Sequence, residues 1–69
     1  MNPTELNRIQ DYLRKTFKND EIEIRARPKK NDSAEVYISD EFVGVMYRDE
    51  EDGELSYQFQ MAILELDLA

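Results

Sequence analysis

From Ala34 to Leu68 the chain alternates apolar and polar residues almost without interruption, with apolar residues on both faces. Val36, Ile38, Val43, Val45, Tyr47, Leu55, Tyr57, Phe59 and Met61 can share one side of an antiparallel sheet. Tyr37, Phe42, Met46, Ala62 and Leu64 fall on the other. Side chains of a strand alternate with period two, so the two sets cannot meet the same neighbour. Ahead of this region Leu6, Ile9, Leu13 and Phe17 recur at helical spacing, with Tyr12 beside them. Asn2-Pro3-Thr4-Glu5 supplies a capping side chain, a proline suited to the first turn and an acid within it. Asn19 is the expected left-handed stop. This one helix can cover only one face of the sheet.

Strands are predicted over Glu21 to Arg27, Ala34 to Ser39, Phe42 to Arg48, and Glu54 to about Leu68. The polar loop Pro28 to Ser33 joins the first two, Asp40-Glu41 the next pair, and the acidic turn Asp49 to Gly53 the last. Phase then suggests register. A loop from Arg27 to Ser33 sets Ile24 opposite Val36 and Arg25 opposite Glu35. A turn at Asp40-Glu41 sets Val36 opposite Val45, Ile38 opposite Val43, and Gly44 under the ring of Tyr37. Asp-Glu is not a favoured pair for such a turn, which leaves a longer one open. A loop over Asp49 to Gly53 sets Tyr47 against Leu55 and Val45 against Tyr57. The final strand breaks phase near Ile63-Leu64: a bulge there would return the last leucines to the core, and without one they extend the second apolar face. A short C-terminal helix is disfavoured by the period-two run Leu-Glu-Leu-Asp-Leu.

The expected fold is therefore α+β: one N-terminal helix packed on a four-stranded antiparallel β-meander, in two layers, as a single domain over residues 1–69. Its expected core is Leu6, Ile9, Leu13, Phe17, Ile22, Ile24, Val36, Ile38, Val43, Val45, Tyr57, Phe59 and Met61.

Composition sharpens this picture. A chain of 69 residues has an unfavourable surface-to-volume ratio and usually needs a staple. It contains neither Cys nor His, so disulfides and an ordinary structural zinc site are excluded. Self-association is the remaining staple. Charge is segregated: residues 1–30 carry eight Lys/Arg against five Asp/Glu, a balance of +3, and residues 31–69 carry one Arg against eleven acids, a balance of −10, together the net −7. No stretch is long and apolar enough to cross a membrane. No charged start followed by an apolar core opens the chain, so a cytoplasmic location is expected.

The chemistry of catalysis is thinly represented. The serines and threonines have no histidine to serve as base, and glycine occurs only at Gly44 and Gly53, so no phosphate-cradling loop exists. The Asp49 to Gly53 run fails the calcium-loop pattern, because aligning Gly53 places Arg48 and Phe59 at the first and twelfth ligand positions. No enzyme activity and no cofactor or metal are expected. Two surfaces stand out instead. Tyr37, Phe42, Met46 and Leu64, flanked by Gln58 and Gln60, form an apolar patch rimmed by polar groups, the composition of a protein-interaction site. Arg25, Arg27, Lys29 and Lys30 form a basic stripe beside Tyr37 and Phe42, the pairing of cations and aromatics that stacks single-stranded bases. The eleven acids of the second half oppose phosphate binding.

Several of the chain's words are also familiar. Pro3-Thr4-Glu5-Leu6, Tyr12-Leu13-Arg14, Arg27-Pro28-Lys29-Lys30, Asp32-Ser33-Ala34-Glu35-Val36-Tyr37-Ile38, Glu41-Phe42-Val43-Gly44-Val45 and Phe59-Gln60-Met61-Ala62-Ile63-Leu64 resemble a family of very short alphaproteobacterial proteins of unknown function. The resemblance covers essentially the whole chain. It implies a free-standing cytoplasmic bacterial protein and brings no activity, ligand or catalytic residue with it. The expected role is thus a non-catalytic protein-interaction module, self-associating as a homodimer or meeting another protein. A single-stranded nucleic-acid-binding regulator using the basic stripe is the alternative.

Overall fold

A 15-residue segment is marginal as an isolated helix, so capping and an apolar stripe must fix it together. In the computed structural model, which describes every residue except Asp52, α1 runs from Pro3 to Phe17. Asn2 caps it, its side-chain oxygen accepting the Glu5 N–H at 2.7 Å. The stop comes one residue earlier than expected: Lys18, not Asn19, takes the left-handed conformation, with φ 53°. Asn19 instead accepts the Glu21 N–H at 2.9 Å and turns the chain into the sheet. Ile9 and Leu13 are the buried residues of the stripe. Phe17, placed in the core by its spacing, is 58% exposed at the C-terminal end of the helix, where the chain turns at Lys18.

Four strands follow in simple meander order: β1 Ile22–Arg27, β2 Lys30–Ile38, β3 Glu41–Asp49 and β4 Ser56–Gln60, every neighbouring pair antiparallel. The helix and four-stranded sheet give the expected α+β class. The β1–β2 register is the expected one, Ile24 opposite Val36 and Arg25 opposite Glu35. The hairpin is longer than expected, however. Arg27 pairs with Lys30 across a tight Pro28-Lys29 tip, where Lys29 has φ 64°, and Asn31 to Ser33 bulge out of register. The N-terminal amine of Met1 donates to the Asn31 carbonyl of that bulge.

The β2–β3 hairpin corrects the expected phase. Its turn is Ser39-Asp40, both with positive φ (51° and 65°), as a type I′ connection requires. Ile38 then faces Glu41 and Tyr37 faces Phe42. A bulge follows, and Val36 faces Gly44, Glu35 faces Val45 and Ala34 faces Met46. Val43 is the extra residue, packed against the core. The single insertion reverses every later side chain of β3. Met46, expected on the outer face, is buried at 3% exposure, and Val45, expected in the core, faces away. The last hairpin compensates. Because β3 has changed parity, Tyr57 and Phe59 stay on the helix side only if the loop length is even; Asp49 pairs with Ser56, leaving Glu50 to Leu55 as the connection. A short 3-10 turn, Glu51–Gly53, lies within it. The expected acidic turn also contains Asp52, which lies outside the described residues.

The core is Ile9, Leu13, Ile22, Ile24, Ala34, Val36 and Met46, with Leu6, Ile38, Val43 and Tyr57 partly buried against it. The ring covering Gly44 is Phe59 rather than Tyr37: a β-carbon at Gly44 would lie 2.7 Å from Phe59 Cε1 and 2.5 Å from the Gln60 carbonyl oxygen. The C-terminal region departs most from expectation. β4 ends at Gln60, residues 61–64 leave the ladder, and Glu65–Leu68 form a 3-10 turn. Met61, expected in the core, is 51% exposed, and Ile63, Leu64, Leu66 and Leu68 are exposed with it. The chain extends 41 Å along its longest axis against 24 Å across.

Candidate functional site

The outer face of the sheet gathers part of the expected patch. Tyr37 and Phe42 meet edge to face, ring centroids 5.7 Å apart at 76°. Arg25 lies over the other side of the Tyr37 ring, 3.9 Å from its centroid. Its guanidinium is also held by Glu23 at 2.5 Å and Asp40 at 2.8 Å. The Tyr37 hydroxyl donates to Glu35 at 3.0 Å. This array is thus a closed polar-aromatic network anchored on the Ser39-Asp40 turn. Ser39 reinforces that turn, its hydroxyl donating to Glu21 at 2.5 Å. Leu64 and Gln60 lie nearby, lining with Phe42, Val45 and Tyr47 a shallow hollow of about 400 Å³. Met46 takes no part, being in the core beneath. Gln58 is exposed on β4, its amide donating to Ser56 at 3.4 Å.

The basic stripe is not brought together as four free cations. Arg25 is engaged as described, and Arg27 donates to the buried Ser33 hydroxyl at 3.1 Å. Lys29 and Lys30 are exposed at the hairpin tip.

A second surface was not expected from the sequence. The helix packs chiefly on β1 and leaves the helix-side face of β3 and β4 partly open. The result is a groove of about 640 Å³ between α1 and β4, lined by Ile9, Tyr12 and Leu13 on one wall and Leu55, Tyr57 and Phe59 on the other, with Met46 at its floor. Tyr12, Leu55 and Phe59 are 67%, 51% and 40% exposed.

One polar cluster closes the end of this groove. Glu5, whose side chain is only 13% exposed, accepts the Tyr57 hydroxyl at 2.5 Å and the Arg48 Nε at 3.2 Å. Arg48 reaches Glu50 at 2.6 Å through its other arm. The Tyr57 hydrogen bond holds the Glu5 carboxyl below its usual range, against partial burial, and the Arg48 charge adds to the effect. The same bond raises the Tyr57 phenol, as burial also does. The cluster ties the first turn of α1 to β4 and satisfies each of its charges, which suits a structural clasp.

The two sheet edges differ. Gln10 on α1 accepts the Ile24 N–H of β1 at 3.0 Å, and Arg14, one turn later, donates to the Ile22 carbonyl at 2.7 Å. The spacing of Gln10 and Arg14 on the helix was the available signal for this coverage. Among the described residues, no side chain bonds to the β4 backbone in this way. Nor is any helix of the described residues long and apolar enough to cross a membrane.

A helix laid on one half of an open four-stranded meander defines a small α+β domain, and the described residues hold no cluster of three or more potential metal-binding side chains. The chain belongs to the family described as protein of unknown function (DUF3126), whose model matches residues 5–67. No curated protein and no solved structure matches it.

Proposed function

We propose that this chain is a small non-catalytic protein-interaction module that self-associates. The observation that carries the reading is the run of exposed apolar side chains in its last third, Leu55, Phe59, Met61, Ile63 and Leu64, each at least 40% exposed. Exposed apolar area of this kind is costly in water and is what association removes. A domain with no disulfide gains from it the burial its own small core lacks. Light scattering across a concentration series tests the reading: the expected mass is twice 8.2 kDa, and a constant 8.2 kDa at several hundred micromolar would refute self-association.

The nucleic-acid alternative draws less support. Arg25 is neutralised by two carboxylates and stacked on Tyr37, leaving Arg27, Lys29 and Lys30 beside a strongly acidic remainder. Fluorescence anisotropy with a labelled single strand at low salt is expected to show no binding at micromolar protein.

A further inference from the structure

The two edges of the sheet set up the inference. Exposed edge strands are ordinarily guarded by charge, proline, a bulge or a covering element. β1 is guarded by Gln10 and Arg14 of the helix. Among the described residues β4 carries no such guard. From Leu55 to Leu64 the chain has neither a charged residue nor a proline, although 36% of all its residues are charged. The molecule is also too extended for its mass. Its accessible surface is 5660 Å², against roughly 4,500 Å² for a folded monomer of 8.2 kDa. The excess is comparable to the ~800 Å² that each partner contributes to a standard interface.

We propose that β4 and the groove beside it form one interface, occupied by the same surface of a second copy of this chain. The inference rests on the self-association proposed above and specifies its mode. β4 of each copy pairs antiparallel with β4 of the other about a two-fold axis, extending the sheet across both. The register follows from the strand. Ser56–Gln60 is centred on Gln58, so all of it is paired only when Gln58 faces the partner's Gln58. Phe59 then faces the partner's Tyr57, and Met61 faces the partner's Leu55. These are odd-numbered positions, the helix-side face of β4. Each copy's Met61 therefore reaches the open mouth of the other's groove, covering Leu55 where its own helix does not. An isologous contact of this type closes on itself and stops at two copies.

The absence of native cysteine gives a direct test. Residues directly opposed in an antiparallel pair have Cα atoms about 4.5–5.5 Å apart, within the span of a disulfide. Gln58→Cys should cross-link two copies under mild oxidation, much faster than Lys29→Cys at the far hairpin tip, while light scattering of the wild type gives twice 8.2 kDa. Met61→Asp should raise the dissociation constant at least tenfold with the circular dichroism spectrum unchanged. A doubled mass with Gln58→Cys no faster than Lys29→Cys would overturn the edge pairing and leave self-association standing. A mass of 8.2 kDa throughout the series would overturn both.

Discussion

Replacing Gly44 by alanine is the sharpest test of the packing described here. The added methyl would sit 2.5 Å from the Gln60 carbonyl oxygen and 2.7 Å from Phe59 Cε1. The ring could rotate away, but the carbonyl belongs to the backbone of β4. Restoring ordinary contact requires the two strands to separate by most of an ångström at the point where Val45 pairs with Gln60. Overpacking of this kind costs about 1–3 kcal/mol. Total stability for a domain of 69 residues is on the order of 3–10 kcal/mol, so the loss is a sizeable fraction of it. Each kcal/mol moves the melting temperature of so small a domain by about 4–8 °C.

Thermal denaturation followed by circular dichroism, wild type and variant at one fixed protein concentration, should therefore show a fall of roughly 5–20 °C. Hydrogen exchange should place the loss of protection in β4 and the β3 residues paired with it, leaving β1 and α1 protected. A Gly44→Ala protein melting within 2 °C of wild type would refute the reasoning. In that case Gly44 would face open space, and the Val43 bulge that turns it toward Phe59 would not exist.

Met46→Ala should cost about 2–5 kcal/mol and Val45→Ala less than half as much, measured by urea denaturation; the reverse order would restore the phase in which Val45 is buried. Glu5→Gln should be less stable than wild type at neutral pH. Because the folded carboxyl is held below its ordinary value of 4.5, the wild-type advantage is complete above that value and disappears as pH falls through the lower folded one, so denaturation curves of the two proteins should converge in acid; a gap unchanged between pH 7 and pH 3 would remove the clasp from the account. Lys29→Gly should raise stability by about 0.5–1 kcal/mol, since φ is 64° at that exposed turn and glycine relieves the left-handed strain; a lower melting temperature would count against the Pro28-Lys29 tip.

The helix, the four strands and the β1–β2 register were legible because each rests on a pattern with one solution. Leu6, Ile9 and Leu13 fit only a helical stripe, and Arg25 opposite Glu35 satisfies both charge and phase. The middle of the sheet was ambiguous because Val45 and Met46 are both apolar and adjacent. Either parity buries a large side chain. The decision came from turn chemistry and a single extra residue: Ser39 and Asp40 accept positive φ, the hairpin closes one position earlier, and Val43 absorbs the difference. The phase of the last hairpin then changed as a consequence. The patch drawn from Tyr37, Phe42, Met46 and Leu64 lost Met46 for this reason alone. The groove was not legible, since it depends on which strands the helix covers, and that is a matter of tertiary docking. The exposure of Met61 has the same origin. Its phase matches Phe59, but beyond Gln60 the ladder with β3 ends and the helix lies over β1, so no neighbour is left to bury it.

The distribution of charge gives these separate features a common logic. Several charged groups are spent on fold-defining contacts: Arg14, beside the neutral Gln10, on the β1 edge, Arg25 on the Ser39-Asp40 turn, Arg48 and Glu5 on the clasp between helix and β4. Acidic residues then crowd the loop before β4 and return after Leu64, bracketing a neutral stretch. Acidic groups on both flanks discourage indiscriminate stacking of many copies through like-charge repulsion. The register centred on Gln58 sets the neutral run from Leu55 to Met61 against the same run of the partner. Specificity in such an edge comes from what surrounds it as much as from what lines it. Inserting an acid inside the bracket, as in Met61→Asp, therefore adds like-charge repulsion to the loss of an apolar contact.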